Sequence, residues 1–75
     1  MSWSAEFEKY QEELAIKVLA LRAIKKYSQE GLALRAGVDR TLVSKIERRL
    51  ANPTLEVLVK IAFCLDVSVD QLLNR

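Results

Sequence analysis

The residues whose types and spacing suggest chemistry are Arg40, Thr41, Ser44, Lys45 and Arg48, within "VDRTLVSKIERR" at positions 38–49. On a helix that turns about 100° per residue, with Arg40 at zero, Ser44, Arg48, Thr41 and Lys45 fall at roughly 40, 80, 100 and 140°. Leu42, Ile46 and Val43 fall at roughly 200, 240 and 300°. One side of such a helix is cationic and hydroxyl-bearing, and the other can dock on a core. The outward types suit duplex DNA. Arg and Lys donate to guanine O6 and N7, and Thr offers thymine a methyl group as well as a hydroxyl. A helix fits the major groove, and its first turn points at base edges. Arg48, Arg49 and Gln29 flank that turn, where they can grip phosphates. Gln29 also follows a helix N-cap, whose free N–H groups favour an anion.

An acid on this segment needs a reason. Glu47 falls at roughly 340°, at the seam between the two faces. Unpaired, it would repel phosphate. Arg22, late in the first helix, is its expected partner, so that the pair ties the reading helix to helix 1.

The elements that position these residues read as five helices. Most apolar residues recur at spacings of three and four. Helix 1 is expected from about Ser4 to Lys26, with Phe7, Tyr10, Leu14, Val18 and Leu21 as its apolar stripe and Ser2 or Ser4 at its start. Helix 2 starts after the cap Ser28 and stops at Gly37, a residue suited to a left-handed helix end. Asp39 caps helix 3, expected from Arg40 to Arg49. The short connection between helices 2 and 3 makes a tight helix–turn–helix corner. Pro53 blocks a helical continuation at Asn52. Thr54 caps helix 4, "LEVLVKIAFCL", and Ser68 with Gln71 has capping-box spacing for a last helix.

Composition sets bounds. A chain of 75 residues is read as one domain, 1–75, and a domain this small is marginal alone. It has one cysteine and no histidine, so neither an internal disulfide nor a Cys/His metal site is expected. No cofactor is expected, and dimerisation remains the available support. No apolar run approaches the roughly 20 residues of a bilayer span. The acidic start, "MSWSAEFEKY", does not read as a signal peptide, and the lone cysteine fits a reducing cytoplasm. The net charge of +2 is unevenly spread: −3 over residues 1–16, +6 over 17–49 and −1 over 50–75. The cationic third surrounds the reading segment, as a phosphate-binding face requires. Without histidine, and with its acids concentrated at the start, the chain assembles no acid–base or nucleophilic set, so no enzyme is expected.

The segment "SQEGLALRAGVDRTLVSKIERRLANPTLEVLVKIAFCLDVSVDQLL" resembles the helix–turn–helix family of phage repressors and Cro. The match rests on Ser28, Gln29, Leu32 and Ala33, on Gly37 at the turn, on Val43, Ser44, Ile46 and Glu47, and on Asn52 and Pro53. It extends from Leu14 to Leu73. Within that family the segment from Asp39 to Leu55 is most similar to the controller proteins of restriction–modification systems. The resemblance implies an all-α, lambda-repressor-like bundle. It implies base contacts from Arg40, Thr41, Ser44 and Lys45, phosphate contacts near Gln29, Arg48 and Asn52, and a scaffold pair of Arg22 with Glu47. Arg49 and Lys26 occupy positions where glycine is usual, so a longer or strained turn is expected after helix 3. Gly31 stands where an acid is usual, and Leu50 and Ala51 where bases often occur.

The function expected from these readings is regulation of transcription by a homodimer on a pseudo-palindromic operator, with no small-molecule effector. The dimer surface must leave helix 3 free, which points to helices 4 and 5, with Phe63, Val67 and Leu73 as candidates. For Phe63, cover by the start of helix 1 is an equal expectation. Trp3, Phe7 and Tyr10 are open to the same two readings, intrachain cover or dimer arm. Two other functions fit the residues: an antitoxin that binds a toxin through its acidic helix 1, or an interaction module without DNA binding.

Overall fold

A computed structural model describes residues 2–74. Five helices follow one another: α1 (Trp3–Lys25), α2 (Gln29–Ala36), α3 (Arg40–Glu47), α4 (Leu55–Cys64) and α5 (Val69–Leu73). No strand occurs among the described residues. α1 has 23 residues. At 1.5 Å rise per residue it is roughly 35 Å long, which sets the 38 Å longest dimension of the molecule.

Each helix starts on a side chain that accepts from the free N–H groups of its first turn. Ser2, Ser28, Asp39, Thr54 and Ser68 are these N-caps. At Ser68 the cap is reciprocal, because the Gln71 side chain accepts from the Ser68 N–H while Ser68 accepts from the Gln71 N–H.

Four of the helices end alike. In each, a left-handed residue follows the last turn, and the N–H one residue further on reaches back five positions: Tyr27 to Arg22, Val38 to Ala33, Leu50 to Lys45 and Val67 to Ala62. This is the Schellman closure. Gly37 has φ 68° and is the expected terminator of α2, but Lys26, Arg49 and Asp66 take φ 60°, 62° and 59° without being glycine. The turn at Arg49 is the strained one expected, and it ends α3 at Glu47 rather than at Arg49.

The core takes one face from each element. Val18, Leu32, Val43, Ile46, Ile61, Leu65 and Leu72 are fully or almost fully buried, with Leu14, Ala33, Ala36, Ala51 and Ala62 around them. α1 packs on α3 and α5, α2 on α3 and α4. The stripe expected on α1 divides: Leu14 and Val18 are buried, Phe7 and Leu21 half-buried, and Tyr10 is 39% exposed. Phe7, Tyr10 and Leu14 share a small apolar crevice of about 90 Å³ with Ala51, Pro53, Leu58 and Leu73. The start of α1 thus covers the α3–α4 loop. Trp3 stays exposed and stacks at a tilt on Phe7, with centroids 6.2 Å apart.

Candidate nucleic-acid interface

α3 displays its polar face as its periodicity requires. Arg40, Thr41, Lys45 and Arg48 are exposed and Ser44 is half-buried, while Val43 and Ile46 are buried beneath them. Asp39 Oδ1 accepts from the Thr41 N–H at 2.8 Å, which fixes the entry into the first turn. That turn carries Arg40 and Thr41, the two residues a groove would meet first.

The position of α3 is set at its other end by Glu47. Arg22 Nε donates to Glu47 Oε2 at 2.8 Å, and Arg22 Nη2 donates to Oε1 at 2.9 Å. This two-pronged pair joins groups whose side chains are 17% and 8% exposed. Gln29 Nε2 donates to Glu47 Oε1 at 3.0 Å, and Arg22 Nη1 donates to the Tyr27 carbonyl at 2.9 Å. One carboxylate therefore holds α1, the α1–α2 turn, the start of α2 and the end of α3 together. Burial pushes the Glu47 carboxyl up, but the hydrogen bonds from Arg22 and Gln29 and the charge of Arg22 outweigh it and hold it below its ordinary value. The hydrogen bond to Glu47 correspondingly raises Arg22, against a smaller lowering by burial. The acid within the cationic segment is thus neutralised from within the fold.

The expected phosphate contacts divide. Arg48 is exposed, and its Nε lies 3.4 Å from the Ser44 carbonyl. Asn52 is exposed in the α3–α4 loop. Arg49 is exposed, with Nη2 3.7 Å from Glu12 Oε1 of α1, a loose pair. Gln29 is half-buried, with its side-chain amide donating to Glu47 and its backbone in the first turn of α2. Gln11 was not singled out by the sequence, yet its Nε2 donates to the Ala51 carbonyl at 2.7 Å and ties α1 to the loop after α3. Its signal was a polar residue on the inward side of α1 between Phe7 and Leu14.

The three residues expected at the dimer surface are not equivalent. Phe63 is 81% exposed, so the start of α1 does not cover it. It continues a stripe with Leu55 and Val59, which are 70% and 51% exposed at spacings of four. Val67 and Leu73 are half-buried, packed at the edge of the chain's own core. Val67 follows the left-handed Asp66, and the backbone closure at that turn directs it inward. Leu73 lines the crevice under Phe7 and Tyr10. Cys64 is half-buried beside the core.

Among the described residues no group of three His, Cys, Asp or Glu side chains comes together as a metal site. No helix of the described residues is long and apolar enough to cross a membrane.

Comparison with known proteins adds a family. The model of the helix-turn-helix family HTH_3 matches residues 18–72. The control protein C.SmaI of Serratia marcescens is 41% identical over 69 residues, covering 92% of this chain and 82% of its own. The solved restriction-modification controller protein C.AhdI from Aeromonas hydrophila superposes with TM-score 0.78 at 34% identity, over 83% of this chain and 94% of that one. SinR, described as a master regulator for biofilm formation and solved in complex with DNA, superposes with TM-score 0.77 at 40% identity, over 81% of this chain and 98% of that one. The chain spans only about half of full-length SinR from Bacillus subtilis, 54% of its length.

Proposed function

The chain belongs to this helix-turn-helix family, and from that premise we propose that it binds duplex DNA sequence-specifically, as a homodimer, to regulate transcription. The observation that carries the reading is the outer face of α3. Arg40, Thr41, Ser44, Lys45 and Arg48 stand together there, and the one acid of the segment is turned inward and paired. Arg40, Thr41, Ser44 and Lys45 read base edges, and Arg48, Arg49 and Asn52 hold phosphates. Gln29 acts through its backbone N–H and through its grip on Glu47. The chain works as one domain in the cytoplasm, without catalysis. Its similarity to C.SmaI and C.AhdI favours the controller of a restriction–modification system, in which case genes for a methyltransferase and an endonuclease lie beside its own.

One unit presents one short reading helix. Two units related by a two-fold axis place two of them in successive major grooves, about 34 Å apart. The exposed stripe of Leu55, Val59 and Phe63 is the surface for that dimer, since it stands free on α4, whose packing is against α2 and α5. Selection of bound duplexes from a random library tests the whole reading. The expected product is a pseudo-palindrome whose half-site centres lie about 10 base pairs apart or a multiple. Enrichment of no sequence would refute it. Sedimentation tests the surface: wild type is expected as a dimer at micromolar concentration, and Phe63→Glu as a folded monomer with far weaker operator binding. Equal dimerisation of the two proteins would exclude the α4 stripe.

A further inference from the structure

Two acids border the end of α3, and the fold treats them differently. Glu47 is enclosed and neutralised by Arg22. Glu12 stays on the surface of α1. Its carboxylate lies 3.7 Å from Nη2 of Arg49, and the two side chains are 49% and 54% exposed. At that distance the groups attract by charge without a hydrogen bond. The guanidinium can therefore still donate to another anion, and the charge of Glu12 remains felt at the surface.

The meeting is built into the backbone. Arg49 holds φ 62°. Its N–H donates to the Ile46 carbonyl at 3.1 Å, and the N–H of Leu50 donates to the Lys45 carbonyl at 2.8 Å. This closure fixes where the Arg49 side chain leaves the end of α3. From the other side, Gln11 Nε2 donates to the Ala51 carbonyl at 2.7 Å, which pins α1 to the same loop two residues beyond Arg49. Glu12 is the next residue of α1. Glu8, one helical turn earlier, lines an open hollow with Glu12 and Arg49. An acidic stretch of α1 is thus held against the turn that carries Arg49.

A phosphate approaching Arg49 meets this charge in two ways. The guanidinium must give up or share its attraction to Glu12, and the carboxylate repels the phosphate over a short distance. Both effects oppose binding. Neither depends on base sequence, because phosphate contacts carry none. With each group half in water, the opposition is of the size of an exposed ion pair.

We propose that Glu12 is a positioning residue for the phosphate grip: it restrains Arg49 and holds down the affinity for duplex DNA of any sequence, so that less of the binding comes from contacts blind to sequence. The inference rests on the DNA-binding reading above, with Arg49 among the phosphate holders.

Titrations of operator and of random duplex at several salt concentrations test it, on wild type, Glu12→Gln, Arg49→Asn and the double variant. Asparagine suits position 49 because it tolerates a left-handed backbone. Glu12→Gln should bind both DNAs about two- to fivefold more tightly per half-site, with the larger gain at low salt. Salt screens the pair as well as the DNA contact, so removing Glu12 should steepen the dependence of affinity on salt. Arg49→Asn should bind both DNAs more weakly, and in its background Glu12→Gln should gain much less. A role of Glu12 in packing alone would move Tm and leave the salt slope in place. Glu6→Gln, the same change of charge at an exposed site nearer the start of α1, should gain less than Glu12→Gln. The proposal is overturned if Glu12→Gln leaves affinity and salt slope unchanged, if its gain is the same with and without Arg49, or if Glu6→Gln gains as much. A wild-type protein that binds neither DNA would instead refute the DNA-binding reading, and the restraint with it.

Discussion

In α3 every exposed side chain is polar, and the apolar ones all point to the core. In α1 the inner face is apolar, but so is much of the outer face, where Ile16, Leu19 and Ile24 meet solvent. The two helices are also held differently. α3 is short, with eight residues, and its ends are fixed by Asp39 and by the bonds to Glu47. α1 is long and is held by packing along its inner side and by side-chain bonds spread along its length, from Gln11 to the Ala51 carbonyl, from Lys17 to the Gln71 carbonyl and from Arg22 to Glu47. A helix with one apolar face has one place to sit, so its polar face can be read directly as a working surface. A helix apolar on two faces leaves open which side the core uses.

If this contrast is right, the largest effect should come from breaking the polar anchor of α3. Glu47→Ala leaves the Arg22 guanidinium mostly enclosed without its carboxylate, and should cost about 3 kcal/mol or more. At about 4–8 °C per kcal/mol for a domain of this size, thermal unfolding should show a Tm lowered by more than about 10 °C. Ile24→Ala on the outer face of α1 should stay within about 0.5 kcal/mol of wild type. A loss below about 1 kcal/mol for Glu47→Ala, the value of an exposed pair, would show that packing alone positions α3. The pair also predicts acid sensitivity. Its depressed carboxyl gives Glu47 a contribution that is complete above the unfolded value near pH 4.3 and is lost as pH falls through the lower folded value. Wild type should therefore lose stability more steeply than Glu47→Gln as pH falls below about 4.

On the working face itself, Arg40→Ala or Thr41→Ala should cost roughly 1–3 kcal/mol of operator affinity and relax base preference at one position per half-site. Arg48→Ala should weaken operator and random DNA alike and reduce the salt slope by about one unit per half-site. Binding curves on both DNAs at several salt concentrations separate the two behaviours. An Arg40→Ala variant that weakens both DNAs equally would remove Arg40 from base reading.

What could be read in the sequence follows the range of the interactions. The helix starts at Ser28, Asp39, Thr54 and Ser68 were legible because a cap bonds to a backbone N–H two or three residues away. The Arg22–Glu47 pair was within reach because a lone acid on a cationic helix has to be neutralised. The grip of Gln29 on Glu47 was not, since it depends on where the start of α2 lies against the end of α3. The helix ends were legible at Gly37, at Lys26 only through a resemblance that puts glycine there, and not at Asp66, where nothing announces a left-handed backbone. On α4 the wheel identified Phe63 as an outward residue, but the inward turn of Val67 depends on the closure at Asp66.

A cap tests the same contrast on a smaller scale. Asp39→Ala removes the acceptor for the Thr41 N–H and should cost about 1 kcal/mol in thermal unfolding. Because the anchor at Glu47 remains, α3 should stay docked and operator binding should fall less than in Arg40→Ala. A larger loss of binding for Asp39→Ala would mean that the first turn of α3 is positioned by its cap more than by Glu47.

The smallest effect is expected where α1 ends. Lys26 holds φ 60°, a backbone region that costs an L residue roughly 1–2 kcal/mol and glycine almost nothing. The turn is closed by backbone bonds alone, from Lys26 N–H to the Ala23 carbonyl and from Tyr27 N–H to the Arg22 carbonyl, so replacing the side chain breaks neither. Lys26→Gly should relieve the strain, but glycine also enlarges the unfolded ensemble, which offsets about 0.4–1 kcal/mol of the gain. The net stabilisation should be below about 1 kcal/mol, seen as a small rise in Tm. A Tm that falls instead would show that the turn holds no strain for glycine to relieve.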